Sequence, residues 1–152
     1  MMNLIAPLIS SDSTVLNQAF SSKKKLFEHA AQLFESFKGL KRQEVFDSLF
    51  ERERLGSTAL GFGVAIPHGR IKSLKEATGA FYRLTPGLEF DAPDTRPVSL
   101  CFILLVPQDA NERHLQILGE LAQLFGDAAT RDRLMKVGTP DELQNLLNSW
   151  KP

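Results

Sequence analysis

Arg52-Glu-Arg-Leu-Gly-Ser-Thr-Ala-Leu-Gly-Phe-Gly-Val-Ala-Ile-Pro-His68-Gly-Arg70 runs from a charged helix end through a glycine-punctuated turn into one short apolar strand, and it delivers a single histidine. Pro67 has no N–H to continue a sheet ladder, and Gly69 is free to turn with φ > 0. The stretch therefore predicts His68 at a strand end, its imidazole facing solvent.

Working outward toward the amino terminus, Gln43 to Arg54 repeats Val45, Phe46, Leu49 and Phe50 at helical spacing and stops at Gly56, a residue suited to a left-handed position after a helix. Arg52 and Arg54 fall in the last turn, where basic side chains complement the helix dipole; capping, or a solvated ion pair with Glu51 or Glu53, is the plainer reading of either. Lys23 to Phe37 predicts a second amphipathic helix, with Ser21 or Ser22 as its cap and Gly39 as its stop. His29 lies on it, where a surface or satisfied core position is the expectation. The residues before it read as irregular.

Toward the carboxyl terminus, Thr78 to Leu84 alternates as a half-buried strand does, Thr85-Pro-Gly and Asp91-Ala-Pro-Asp94 read as turns, and Val98 to Val106 is a near-continuous apolar run expected of a central strand covered on both faces. Three helices follow, from about Asn111 to Phe125, from about Ala128 to Val137 after an Asp127 cap, and from the capping box Thr139-Pro-Asp-Glu142. Helices before and after a compact set of strands predict an α/β fold, a few-stranded sheet with helices on both faces.

At 152 residues the chain fits one domain, spanning 1–152, and can bury a core without a disulfide or metal staple. The 18 basic and 18 acidic side chains cancel, so nothing draws the molecule at long range to nucleic acid or an anionic membrane, and any anion site must be local. The single cysteine, Cys101, sits in the apolar run and reads as a buried thiol. No stretch approaches the length of a membrane span and no positive charge precedes the short amino-terminal apolar patch, which places the protein in the cytoplasm.

Gly61-Phe-Gly63 lacks the Gly-Lys-Ser/Thr ending of a nucleotide loop; its glycines suit a bend whose amides lie near His68 and hold an anion. The three histidines lack metal-site spacing. His68 itself suits nucleophilic chemistry, because a neutral imidazole offers a lone pair near pH 7, and phosphoryl transfer then requires positioning and positive charge. Arg52, Arg54, Arg70 and Arg113 are candidates for the charge. His114, behind Asp109-Ala-Asn-Glu-Arg113, opens the helix after the central strand and falls at the rim where ligand sites concentrate, although a solvated or carbonyl-bonded histidine is the plainer reading.

The opening stretch resembles the active-site signature of the enzyme IIA domains of the mannitol/fructose class of the bacterial phosphoenolpyruvate-dependent phosphotransferase system. The likeness continues through Leu84-Thr-Pro-Gly-Leu-Glu-Phe-Asp-Ala-Pro-Asp-Thr-Arg-Pro-Val-Ser-Leu100, Leu104-Leu-Val-Pro107 and His114-Leu-Gln-Ile-Leu118. It covers essentially the whole chain and most resembles the nitrogen-regulatory IIA proteins. The resemblance implies a mixed, mainly parallel sheet of about five strands flanked by helices. It implies that His68 takes a phosphoryl group on Nε2 from a phosphohistidine of an HPr/NPr-like carrier, with no cofactor, ATP or metal. It also implies that Arg52 binds the phosphoryl oxygens, that Ser57 and Thr58 hydrogen-bond at the site, and that His114 lies beside His68. Regulatory target proteins are the implied partners, or, in a stand-alone sugar carrier, a IIB domain. Phe62 stands where nitrogen-class members often carry a polar residue, bearing on the site surface, and Arg70 where lysine is also common.

Overall fold

The helical and strand periods separate cleanly along the chain. In the computed structural model, which describes residues 3–109 and 111–152, strand β1 (Thr14–Gln18) precedes helices α1 (Lys23–Lys38) and α2 (Arg42–Leu55). Strands β2 (Ala59–Gly61), β3 (Val64–Ala65), β4 (His68–Ile71), β5 (Thr78–Leu88) and β6 (Val98–Pro107) follow, then helices α3 (Glu112–Gly126), α4 (Ala128–Lys136) and α5 (Pro140–Ser149). Met1 and Met2 of the expected irregular start, and Ala110 of the loop before His114, lie outside the described residues.

All six strands form one mixed sheet, in the order β1-β5-β6-β3-β2, with β4 also paired to β6. β1/β5, β3/β6 and β4/β6 are parallel; β2/β3 and β5/β6 are antiparallel. The sheet has six strands where about five were expected because β3 and β4 are two halves of one line along β6. Val64 and Ala65 face Leu100 and Cys101, then His68 faces Leu104. Ile66 and Pro67 break the line between them, and proline's missing N–H is the reason it breaks there.

The side chains of β6 alternate between two cores. Cys101, Ile103 and Leu105 pack with Leu26, Phe27, Phe34, Val45 and Leu49 of α1 and α2. Leu100, Phe102, Leu104 and Val106 pack with Ile117, Leu121, Leu134, Leu143 and Leu147 of the last three helices. Each such buried side chain contributes about 1.5–3 kcal/mol by leaving water, which makes β6 the member both layers depend on. Cys101 is fully buried, as its apolar neighbours led one to expect, and burial pushes its thiol well up from the ordinary value.

The helix ends follow their side chains. Ser22 accepts from the Lys25 N–H, Asp127 from Thr130 and Thr139 from Glu142, and Gly39 takes the left-handed conformation with φ 69°. Gly56 departs from expectation: its φ of 164° is extended backbone, so α2 runs straight out into the segment that leads to the histidine. Three further expectations change. A short strand, β1, lies in the region read as irregular, its signal interrupted by Asn17 at φ 60°. β5 continues through Thr85-Pro-Gly, with a register shift between Arg83 and Leu88 in place of a turn. Finally, β5 is buried on both faces up to Leu84, where alternation suggested one. The polar residue responsible, Arg83, is buried against carbonyls of Leu134, Met135 and Val137 at the end of α4 and bonds Asn17 Oδ1 through Nε at 3.1 Å.

Candidate functional site: a histidine at a broken strand

His68 is the first residue of β4 and is half-buried, not solvent-facing as the sequence suggested. Its Cα partner across the ladder, Leu104, belongs to the core under α3 to α5, while Gly69 and Ile71 turn to the α2 side. Gly69 therefore serves a purpose other than a positive φ. A Cβ there would lie 2.1 Å from Ser48 Oγ and 3.0 Å from Ser48 Cβ, so glycine lets α2 seat directly on the strand.

The break at Ile66 and Pro67 supplies the ring's anchor. His68 Nδ1 lies 2.8 Å from the Ile66 carbonyl oxygen, which can only accept, so Nδ1 carries the proton and Nε2 of the neutral ring keeps its lone pair. The Ile66 N–H donates in turn to the Thr58 carbonyl at 3.1 Å. Burial holds the imidazole below its ordinary value; the Ile66 bond opposes this, Arg52 adds to it, and Glu53 opposes it. The net direction keeps the ring neutral and nucleophilic near pH 7.

His114 has the opposite tautomer. It occupies the first turn of α3, buried, with Asn111 as the cap. The Asn111 N–H donates to His114 Nδ1 at 3.0 Å, the place a glutamate takes in an ordinary capping box. A backbone N–H can only donate, so the His114 proton resides on Nε2. His114 also continues the buried α3 stripe of Ile117 and Leu121, which packs on the same sheet face as His68. Arg52, half-buried, donates from Nη1 to the Gly56 carbonyl at 2.8 Å, capping its own helix, and is near enough for its charge to act on His68. Among the described residues neither His114 nor Arg52 bonds His68 directly.

Several expected participants are committed elsewhere. Thr58 Oγ1 donates to Glu53 Oε1 at 2.6 Å and its N–H to Glu53 Oε2 at 3.1 Å, while the Ser57 hydroxyl donates to the Phe90 carbonyl. A hydroxyl has one proton, so in this arrangement neither side chain donates to a phosphoryl oxygen. Arg54 pairs with Glu51 at 2.7 Å on the exposed face of α2. Arg70 is exposed and donates to the Gln108 carbonyl at 3.2 Å; Arg113 is exposed.

Gly61-Phe62-Gly63 is not an anion loop beside the histidine. It is the turn between β2 and β3, four ladder positions from His68, about 13 Å along β6. The Phe62 N–H is taken by Asp94 Oδ2 at 2.8 Å, and the Phe62 ring lies beneath Arg131, 4.6 Å from its guanidinium carbon. Its departure from the usual residue therefore alters a surface remote from His68.

Comparison with known proteins identifies the family and the fold. The sequence profile of the family "Phosphoenolpyruvate-dependent sugar phosphotransferase system, EIIA 2" matches residues 7–150. The chain belongs to this family. Among IIA relatives, the nitrogen regulatory protein of Pseudomonas aeruginosa is 36% identical over 141 residues, covering 92% of each chain. The crystal structure of nitrogen regulatory protein IIA-Ntr from Neisseria meningitidis superposes with a TM-score of 0.90 at 48% identity, covering 95% of this IIA chain and 99% of that one. IIA mannitol from Escherichia coli, at 21% identity, shares the fold with a TM-score of 0.77 over 91% of this chain and 98% of its own.

The signal that joined Arg52, His68 and His114 was the length of the family match; spacing alone favoured structural roles for Arg52 and His114. Glu53 was missed. Between two arginines at a helix end it reads as a solvated charge, yet it is buried. Only the alternation of α2, which puts Val45, Leu49 and Glu53 four apart on the inward stripe, marks it.

Proposed function

We propose that this IIA protein is a cytoplasmic phosphocarrier that accepts a phosphoryl group on His68 Nε2 from the phosphohistidine of an HPr/NPr-like carrier, and that its phosphorylation state regulates target proteins. The observation that supports this most is the Nδ1–H bond to the Ile66 carbonyl, which reserves the Nε2 lone pair for attack. The new N–P bond forms at Nε2 as the carrier's N–P bond breaks and returns its electron pair to the carrier's imidazole. His68 retains its Nδ1 proton, so the phosphorylated ring is an imidazolium. A cationic leaving group keeps the N–P bond labile, which suits a reversible relay. His114 donates its Nε2–H to a phosphoryl oxygen, and Arg52 supplies charge.

The output follows from charge. A chain of formal net charge zero gains a phosphoryl dianion on a cationic ring, about one net negative charge at one rim, together with strong acceptor oxygens, enough to make or break an interface. Incubation with phosphoenolpyruvate, the first enzyme of the relay and its carrier is expected to give an acid-labile, base-stable phosphoprotein. Label persisting in His68→Ala would refute the site. For His114→Ala we expect transfer slower by on the order of 100-fold in a folded protein, since one preorganised donor is lost; an unchanged rate returns His114 to a capping role alone. The family's description as a sugar system supports a second reading, a stand-alone fructose/mannitol-class IIA that passes the group to a sugar-specific IIB. Rapid sugar-linked loss of label to IIB domains would favour it over regulation.

A further inference from the structure

A buried carboxylate stands at the head of a chain of hydrogen bonds that ends on the His68 ring. Glu53 projects inward from the last turn of α2, with its side chain 5% exposed. Lys23 of α1 meets its Oε2 at 3.2 Å, the Thr58 N–H the same oxygen at 3.1 Å, and the Thr58 hydroxyl its Oε1 at 2.6 Å. From Thr58 the series continues: its carbonyl accepts the Ile66 N–H at 3.1 Å, and the Ile66 carbonyl accepts His68 Nδ1–H at 2.8 Å. Each bond joins one segment to the next, from α1 to α2, to the loop before β2, to the break between β3 and β4, and to the imidazole.

We propose that Glu53 is the positioning residue of the phosphorylation site, fixing the plane and tautomer of His68 through Thr58 and Ile66 while holding the helix end that carries Arg52. This rests on the reading of His68 as phosphoryl acceptor. A carboxylate removed from water is costly unless its lone pairs are matched, and here the donors are Lys23 of α1 and the N–H and hydroxyl of Thr58, the latter two from the loop that leads toward the histidine. Glu53 also balances the site electrically. Arg52 and Glu53 come from α2, Lys23, paired with Glu53, from α1, Arg70 lies two residues along β4, and His114 faces the same side of the sheet from α3; of these Glu53 is the anion. Its charge favours a cationic ring, which is the form His68 takes when phosphorylated with Nδ1–H retained.

The geometry separates this role from simple helix anchoring. Anchoring predicts lower stability alone, whereas positioning predicts a change at the imidazole. Glu53→Gln keeps the shape and removes the charge, Glu53→Asp keeps the charge on a shorter arm, and Thr58→Val removes the hydroxyl while leaving the N–H. Nitrogen-15 NMR of the full chain reads the His68 tautomer and titration midpoint without any carrier, and phosphoryl transfer from the labelled carrier gives the rate. We expect Glu53→Gln to move the His68 midpoint down and slow transfer about 10-fold, with Glu53→Asp recovering part of both. We expect Thr58→Val to mix the two His68 tautomers and slow transfer several-fold. If Glu53→Gln folds and leaves midpoint and rate at wild-type values, the proposal is overturned. If it does not fold, Thr58→Val decides, and an unchanged tautomer and rate there overturn it equally. A wild-type protein that takes no label refutes the phosphocarrier reading instead, and the carrier-free NMR still reports on Glu53.

Discussion

The two imidazoles of the site carry their protons on opposite nitrogens, and both assignments follow from neighbours whose roles are chemically forced. A carbonyl faces Nδ1 of His68 and a peptide N–H faces Nδ1 of His114. His68 is thus an acceptor and His114 a donor at Nε2, which in the proposed reaction are the complementary parts that attack and charge stabilisation need. The pH behaviour of His68 has a definite sign. Burial lowers its pKa in the folded state, so as pH falls the unfolded chain takes the proton first. Stability is unaffected above about pH 6.5, declines below it, and the loss is complete once pH is under the folded value. In the proposed reaction the neutral, nucleophilic ring therefore persists to lower pH than an exposed imidazole would. The rate of phosphorylation, measured with carrier in excess and corrected for the carrier's own profile, is expected to stay level from pH 8 to about 6.5 and to fall only below it. His29, whose Nδ1 lies 2.7 Å from the Tyr82 hydroxyl, is lowered by burial too, so the stability loss on acidification includes a contribution away from the site. At this scale the sequence isolates His68 by its proline and glycine neighbours, but it cannot assign tautomers or distinguish buried Glu53 from exposed Glu51, because both depend on what packs from elsewhere in the chain.

Among the elements, the interrupted strand is the one whose geometry the periodicity could not reveal. Val64 to Ile71 is too short and too mixed for a pattern of period two to show a break, and only the ladder to β6 identifies β3 and β4 as one line. The helices were legible nearly to the residue, because their stripes and caps are local. β1 and the buried second face of β5 were not, because a five-residue edge strand and a buried arginine are both decided by tertiary contacts. The seat of α2 on β4 makes a quantitative prediction. Gly69→Ala drives a methyl into Ser48, and overpacking of this kind costs about 1–3 kcal/mol, measurable by urea denaturation. Ser48→Ala removes the nearest atom, so the double variant is expected to recover part of that loss. Full additivity in the cycle would show that the two residues do not meet as described.

For the molecule as a whole, β6 and β5 hold two helical layers together, and Arg83 ties the second layer to the sheet by polar bonds. Its guanidinium completes the carboxyl end of α4 through three carbonyls. Arg83→Met keeps the volume but leaves those carbonyls without a donor, so we expect a loss of about 2–3 kcal/mol in global stability by calorimetry, with phosphorylation of His68 intact. The balance of charges was legible from composition, and so was the α/β class; the proposed site's dependence on both layers was not, since it arises only when α2 and α3 close on opposite faces of the sheet that carries the β4 strand. The position of that strand has a further result. β4 is laddered to β6 on one side, and along its other side α2 supplies side chains: Ser48 Oγ donates to the Arg70 carbonyl at 3.0 Å and Glu44 accepts the Lys72 N–H at 3.0 Å. These two bonds occupy ladder groups that an incoming chain would need at that point of the margin. Recognition by β-augmentation is thereby disfavoured along Arg70 to Lys72, and in the proposed phosphocarrier a partner that docks on this margin reads side chains and shape there.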